Sequence, residues 1–490
     1  MKLKKLLVGI EYSGDEKAIN ELDITGVCGD SRKIFPGEVF VCIKGGEKNG
    51  MDYISEAEKR GAKAVICERD VSAELSRAIC VVTENTERAL AVCSSNFCGR
   101  PSERLKVIGV TGTNGKTTVT AIIAEILNEM GKKCARIGTL GAEYEGEYTS
   151  ISSMTTPGAE LLYPLLKNYA DRGAEYAVME VSSHSLEKER VAGIDFEIGA
   201  ITNVTPEHLD FHGNMENYCR AKKKLFSKCK KAVICADDYY TVSMYRDLEV
   251  EKVSCSVKNG ESDYYAENVV YKGAEGVEFT FCHNAQKESI VSCMPGEFAV
   301  SNCLLAASVL CELGFDMRAV CAAMAGIRGV RGRMEQVNTE SDFSVIIDYA
   351  HTPDALAKVL NSVRGFRKRE QRIVTLFGCG GDRDRSKRSL MGAIASGLSD
   401  FVIITSDNCR TENCADIIDE IMIGFDKNCP HVRIDDRRIA IIYAIKNAEK
   451  GDIILLCGKG HEEYEIDMFG KHPFSEKQIV LEALKKDDKQ

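Results

Sequence analysis

The residues that could do chemistry begin at Gly112. The run Gly112-Thr113-Asn114-Gly115-Lys116-Thr117-Thr118 follows the apolar stretch VIGVT and leads into the helix-patterned VTAIIAEILNEM. Strand, glycine-rich loop and helix in that order make a phosphate cradle. Small residues let backbone N–H groups converge on phosphate oxygens, and the helix N-terminus adds positive potential. Lys116 is spaced to reach the outer phosphates, and Thr117 offers a hydroxyl for magnesium. The strict phosphate-loop spelling needs glycine at 110, where the chain has valine, so the loop is a variant. Two further residues could join it. Glu180 ends the apolar run YAVME, and His208 lies in the polar stretch TPEHLDFHG; read alone, one is a strand-end carboxylate and the other a helix-start histidine. Lys222, Lys223 and Lys224 read by composition as a solvated helix face.

The elements that must position these residues alternate between apolar runs of strand length and helical patterns. EVFVCIKG, AKAVICER and AICVVTEN surround a helical YISEAEKRGA; YAVMEVSSH, IGAITNVT and KAVICADD end in polar residues; FSVIIDYA, RIVTLFGCGG, FVIITSDN and DIILLCGKG form a third group. This is the α/β pattern of parallel sheets with crossover helices, which place ligands at the carboxyl ends of strands. The polar link CGRPSERL and the glycine- and arginine-rich GIRGVRGRME divide the chain in three. The expected domains are a small N-terminal α/β domain at 1–101, a central nucleotide-binding domain with a parallel sheet at 102–333, and a C-terminal Rossmann-like domain at 334–490. A more polar segment at about 250–292 reads as hairpins.

Composition narrows the partners. With 490 residues and 44% hydrophobic content, the chain can fill a core in each domain. A formal charge of -10 and no long Lys/Arg run exclude nucleic acid as the main partner, because phosphate-backbone affinity needs clustered basic residues. The start MKLKKLLVGIEYSGDE is basic, but its apolar stretch stops at Glu11 without a small-residue cleavage site. No later stretch reaches the roughly 18 apolar residues of a membrane span. A cytoplasmic protein without membrane insertion is expected. The 21 cysteines form no C-x-x-C pair, are odd in number and often stand inside apolar runs such as AVICERD. They read as buried reduced thiols, not as a disulfide framework or a zinc site.

TGTNGKTT in this setting resembles the Mur ligases and their folylpolyglutamate synthetase relatives, which phosphorylate a carboxylate with ATP and let an amine attack it. DSRKIFPGEVFVCIKG, MTTPGAELL, MEVSSHSLEKERV, TNVTPEHLDFHGNMENYCRAKKKLF, RGRMEQV, DYAHTPDAL, FGCGGDRDRSKR, DNCRTEN and GKGHEEY are similar, in order, to the Mur ligases that add the third residue of the peptidoglycan stem peptide. The resemblance implies that Glu180 and His208 join Thr117 as magnesium ligands and that Lys222 carries a carbamate that also orients the metal. It implies Ser31, Thr155, Thr156, Ser182 and Arg190 as contacts for a UDP-N-acetylmuramoyl dipeptide. Asn302 would face the adenine, with Arg333 and Asp348 near the ribose and phosphates. His351 is read as a loop-ordering residue rather than a base.

The resemblance also bears on the amine. Members that add meso-diaminopimelate carry Asp-Asn-Pro-Arg where this chain has Asp407-Asn408-Cys409-Arg410, and lysine-adding members lack the arginine. Diaminopimelate has a second amino-acid head whose carboxylate suits a guanidinium; lysine leaves that guanidinium unmatched. Arg383, Gly458 and Glu462 would contact the same ligand, Glu462 through its ammonium. Cysteine at 409 lacks the restraint proline places on φ, so the loop could accept L-lysine or another diamine. A folylpolyglutamate-type ligase, a phosphate-loop GTPase and a small-molecule kinase are the competing readings. The expected enzyme is a monomer that uses ATP and Mg2+.

Overall fold

The computed structural model describes residues 1–45, 49–149, 151, 154–327 and 329–485, so Arg328 of the GIRGVRGRME stretch lies outside the described residues. The chain forms two compact units, Met1–Tyr265 with Leu304–Asp316, and Ala266–Cys303 with Met317–Gln490. Among the described residues no helix is long and apolar enough to cross a membrane.

The first unit holds two sheets. The smaller has strands β1 (Ser13–Gly14), β2 (Val27–Cys28), β3 (Val39–Val41), β4 (Ala64–Cys67) and β5 (Ile79–Val82) in the order β1-β5-β4-β3-β2, parallel except for β1. The larger is built on β6 (Lys106–Thr111), β7 (Cys134–Gly138), β8 (Gly141–Tyr144), β9 (Glu147–Thr149), β10 (Tyr176–Glu180), β11 (Phe196–Ile201), β12 (Cys229–Cys235) and β13 (Glu251–Ser256). Its core is parallel, with β6 between β10 and β11. Near-continuous apolar runs suit strands buried on both faces, and β6 and β10 read that way. Gly109 lets β6 lie under its neighbours, since a Cβ there would stand 2.8 Å from the Phe196 ring. One apolar cluster runs from Leu3 and Ile66 through Ala91 and Leu162 to Met179, so both sheets share a core. Ser95 on the helix Thr86–Phe97 donates to the Gly193 carbonyl at 2.9 Å.

Of the polar segment read as hairpins at about 250–292, the later part forms the antiparallel hairpin of β15 (Val277–His283) and β16 (Gln286–Ser292), whereas β13 pairs in parallel with both β12 and β14 (Tyr264–Tyr271). The second unit contains that hairpin and a six-stranded sheet. Its strands are β17 (Glu335–Val337), β18 (Ser344–Asp348), β19 (Ile373–Phe377), β20 (Phe401–Ile404), β21 (His431–Arg433) and β22 (Ile453–Cys457), in the order β17-β18-β22-β19-β20-β21. Only β17 is antiparallel. β19 shows how it is covered. Ile373 and Phe377 point to a core with Leu356, Met391 and Ile417, while Val374 and Leu376 point to one with Ile441 and Val480. Helices on both faces make the sheet doubly wound, as the Rossmann-like expectation requires. A two-stranded hairpin, β23 (Tyr464–Asp467) with β24 (Gly470–Pro473), follows β22.

The reading of the cysteines needs one correction. Cys409 and Cys414 form a disulfide across 5.4 Å between their Cα atoms. The other cysteines are thiols, most of them buried. Counting spacings missed the pair because it depends on a loop doubling back from β20 onto the first residue of the helix Cys414–Ile423.

Candidate active site

β6 ends at Thr111 and the loop turns into the helix Lys116–Glu129, so the first-turn N–H groups open at the carboxyl edge of the sheet. Gly112 has φ +133°, and a Cβ on it would stand 1.9 Å from the Thr202 hydroxyl. Gly115 has φ +87° at the helix cap. Both glycines are therefore required by the turn. Asn114 is clamped from β11's end: its N–H donates to the Asn203 Oδ1 at 3.1 Å, and its carbonyl accepts from Thr202 and Asn203. The Thr113 hydroxyl lies 3.2 Å from the Tyr218 hydroxyl, and Thr118 is half-buried in the first helical turn.

Two lysines meet on one carbonyl. Lys116 Nζ donates to the carbonyls of Gly112 and Thr113, each at 2.9 Å. Lys222 Nζ donates to the same Gly112 oxygen at 2.7 Å and stands 4.3 Å from the Tyr218 ring centre. Lys222 is 1% exposed, so it is not the solvated lysine its composition suggests. Burial, and then the charge of Lys116, hold its amine well below the usual lysine range. Carbon dioxide adds to the neutral form of an amine, the form that this lowering favours.

Glu180 closes the other side. Its carboxylate, 1% exposed at the end of β10, accepts from the Thr117 hydroxyl at 3.1 Å and from the Thr139 N–H and hydroxyl at 2.8 and 3.0 Å. Gly138 makes room for it, because a Cβ would sit 2.2 Å from Oε1. Oxygen donors from Thr117 and Glu180 suit magnesium, which is commonly held by one or two carboxylates plus a bound phosphate. His208 has φ +55° and caps the short helix Leu209–His212. Its ring lies 4.8 Å from that of His184, which stacks on Phe211 at 4.2 Å. Burial and the neighbouring His208 hold His184 at about 4, so it is neutral at pH 7. The structure thus gathers Lys116, Thr117, Glu180 and Lys222 at the loop and sets His208 in an aromatic cluster beside it.

The residues expected to hold the nucleotide dipeptide continue from Glu180. The Thr156 hydroxyl donates to the Glu180 carbonyl at 2.9 Å and accepts from the Ser182 N–H at 3.0 Å; Arg190 donates to the Thr156 carbonyl at 3.1 Å. The Thr155 hydroxyl lies 3.3 Å from that of Thr139. Ser31 is apart from this chain of contacts, buried and 3.2 Å from Glu56. Its loop is tied to the same neighbourhood by the Gly29 N–H, which donates to Glu160 at 2.6 Å just beyond Thr156. Thr139, Asn203 and Tyr218 are the residues here that sequence reasoning missed. They lie near motif residues in the fold but outside the loop spelling.

In the second unit, Asn302 is half-buried on the helix Glu297–Glu312. Asp348 ends β18 and accepts from the N–H groups of Met334 and Ala350, both at 2.8 Å. Burial pushes its carboxyl up, against the pull of Arg333. The Arg333 guanidinium stands 4.9 Å from the Tyr349 ring centre, and its Nε is buried without a hydrogen-bond partner among the described residues. His351 Nδ1 donates to the Tyr349 carbonyl at 2.8 Å, and the His351 carbonyl accepts from Lys387 at 2.9 Å, which fits a loop-ordering residue.

Three loops converge at the carboxyl ends of β19, β20 and β22. Gly381 approaches Cys409 so closely that a Cβ would stand 1.9 Å from its carbonyl, and Gly458, at φ +115°, would meet Asp407 Oδ2 at 2.6 Å. Asn408 is the hub. Its amide donates to Glu462 at 2.8 Å, and its Oδ1 accepts from Lys459 and the Ile466 N–H, each at 2.9 Å. Burial raises the Glu462 carboxyl. Burial also works against Asp407, but Lys459 and Arg437 outweigh it and hold that carboxyl low. Arg410 has φ +53° and donates through Nη1 to the Gly381 and Asn408 carbonyls at 2.8 and 3.3 Å. Among the described residues, Arg410 makes its side-chain hydrogen bonds through Nη1 and not through Nη2 or Nε. Arg383 is exposed and donates to the Asp382 carbonyl at 3.1 Å. Lys459, fully buried at this hub, is the residue the sequence motifs did not single out.

Three family profiles cover most of the chain: "Mur ligase family, catalytic domain" over residues 23–97, "Mur ligase middle domain" over 110–310, and "Mur ligase, glutamate ligase domain" over 332–460. A UDP-N-acetylmuramoyl-L-alanyl-D-glutamate--2,6-diaminopimelate ligase of Caldanaerobacter subterraneus is 42% identical over 491 residues, with 100% of each chain covered. The enzyme of that name from Clostridioides difficile is 40% identical, covering 99% of this chain and 100% of its own. A solved structure under that name has a TM-score of 0.74 at 31% identity, covering 100% of both chains. A folylpolyglutamate synthase of Mycobacterium tuberculosis, solved with ADP and AMPPCP, has a TM-score of 0.60 at 17% identity over 74% of this chain and 91% of its own, a likeness of fold alone.

Proposed function

The chain belongs to the Mur ligase family, and on that premise we propose that it joins meso-2,6-diaminopimelate to the γ-carboxylate of UDP-N-acetylmuramoyl-L-alanyl-D-glutamate. It is an ATP-dependent, ADP-forming ligase of peptidoglycan precursor synthesis. We read 1–101 as the UDP-substrate domain, 102–333 as the ATP-binding domain and 334–490 as the amino-acid domain, and the enzyme as a cytoplasmic monomer.

The loop N–H groups from Gly112 to Thr118 bind the phosphates, and Lys116 exchanges its two carbonyl contacts for phosphate oxygens. Thr117, Glu180 and His208 would hold magnesium, which when bound offsets the charge gathered by phosphates and carboxylate. Lys222, whose amine burial holds low, would take up carbon dioxide in its neutral form, its nitrogen forming a C–N bond and releasing one proton, so that an anion replaces a potential cation beside Lys116. ATP's γ-phosphoryl group passes to the D-glutamyl γ-carboxylate, giving an acyl phosphate and ADP. Asn408, Glu462, Arg383 and Arg410 hold the diamino acid so that its amine attacks the acyl carbon, and orthophosphate leaves with its bonding pair. The chain's contribution is orientation and fixed charge.

One observation carries the choice of amine: Arg410 is locked by a single terminal nitrogen, with the rest of its fork available to a carboxylate. The test is orthophosphate release from the nucleotide dipeptide and ATP with either meso-diaminopimelate or L-lysine. Release with diaminopimelate alone is expected. Equal turnover with lysine would defeat the assignment of Arg410.

A further inference from the structure

Cys409 and Cys414 enclose Arg410-Thr411-Glu412-Asn413 in one short ring. Arg410 sits in the left-handed region, which side-chain-bearing residues avoid, so something must hold it there. The ring's own contacts run to the neighbouring loop. Thr411 donates to Asp382 at 2.7 Å, and Glu412 accepts from the Asp382 N–H at 2.6 Å, directly beside Arg383. The Arg410 N–H donates to the Ile466 carbonyl at 3.0 Å on the hairpin strand β23. A proline at 409 would restrain this loop through φ. Here the restraint comes from closing the ring.

We propose that the Cys409–Cys414 crosslink positions Arg410 and Arg383 for the diamino acid, and that thiol–disulfide exchange at this pair tunes the affinity for that substrate. The inference rests on the reading of Arg410 as the carboxylate partner. The two sulfurs are unequal. Cys409 is buried in the core below the loop, whereas Cys414 is half-exposed at the first position of a ten-residue helix, where a thiolate is stabilised. In the closing direction the Cys414 thiolate attacks a low-molecular-weight disulfide, forming a mixed disulfide and expelling one thiolate. Cys409 then loses its proton, attacks the Cys414 sulfur and expels the second. Two electrons pass to the small disulfide, which leaves as two thiols; a dithiol reverses the sequence. In a reducing compartment such a pair cycles between states. The crosslink acts on the amine subsite, so the phosphate loop should not respond to it.

The test uses the full chain equilibrated in oxidised and reduced dithiothreitol at set ratios, with the state of the pair read from alkylation mass. Opening the pair should raise KM for meso-diaminopimelate about tenfold, about 1.4 kcal/mol, and leave kcat and KM for ATP within about twofold. Cys414→Ser should show the raised KM in both buffers. The double variant C409P/C414S should lose the redox response and recover part of the low KM through the proline restraint. An unchanged KM after verified opening, or no crosslink at any ratio, overturns the proposal. If neither diamine is a substrate, the reading of Arg410 has failed separately. Hydrogen exchange over 378–384 and 405–413 then decides the crosslink's role: faster exchange in the open state supports it, and equal exchange overturns it.

Discussion

The phosphate loop and the proposed amine site are built by different means. At the loop, Lys116, Thr117 and Glu180 stand at the ends of neighbouring strands or in the first turn of a helix, and Lys222 reaches the same Gly112 carbonyl as Lys116. Backbone geometry fixes the chemistry, and burial, followed by the charge of Lys116, holds the Lys222 amine low. The amine pocket has no such frame. Asn408 is held by Lys459, Glu462 and Ile466, and Arg410 by Gly381, so three loops from three strands define its shape. The difference implies that acyl activation and amine choice are separable, the first set by the sheet and the second by loop-to-loop ties.

The largest expected effect lies at the sheet. Lys116→Ala should lower kcat/KM for meso-diaminopimelate about 10³-fold, the usual scale for removing a charged group aimed at developing charge. Lys222→Ala should fall short of this by a step, about 10²-fold, and 13C-labelled bicarbonate should give a carbamate signal in the parent chain that the variant lacks. Arg410→Ala should act in the other region alone. KM for diaminopimelate should rise roughly 10- to 100-fold, the scale of a charged hydrogen bond, while KM for ATP stays within about twofold. A matching loss in ATP affinity would break the separation.

The same contrast governs what the sequence could tell. Gly112 to Thr118, the strand ending at Glu180 and the alternating strands of the second unit are local patterns, and each appears where the pattern predicts it. Every residue of β19 is buried, and the alternation of its side chains between two cores follows from the strand period alone. Lys222 shows the limit. Its neighbours make it look solvated, and only the fold brings it beneath Gly112, 110 residues away. Lys459 and the Cys409–Cys414 bond were hidden for the same reason, since both depend on loops meeting after the sheet has formed. Thr139 was missed because a lone threonine after a strand carries no pattern until Glu180 stands beside it.

The smallest effect sharpens the comparison from the support beneath the amine loop. Arg388 is fully buried and paired with Glu412 at 2.8 Å and Glu420 at 2.8 Å. The hydrogen bonds from Arg388, followed by the Asp382 N–H, hold the Glu412 carboxyl at about 2 against an ordinary value of 4.5. A folded-state value below the unfolded one means that the unfolded chain binds the proton more readily, so stability rises with pH across the gap. This contribution is complete above the ordinary value and is lost as pH falls toward the folded one. Glu412→Gln should therefore flatten the urea-midpoint profile between about pH 4.5 and 2 and cost about 1–2 kcal/mol at pH 7, with Glu420 still offsetting the buried guanidinium. The variant should also raise KM for diaminopimelate slightly, because Glu412 ties the Arg410 loop to Asp382, and leave ATP binding as it was. An acid profile parallel to that of the parent chain would show that the Arg388 pair does not support the amine pocket, and that its shape is set by the crosslink and the Asn408 hub alone.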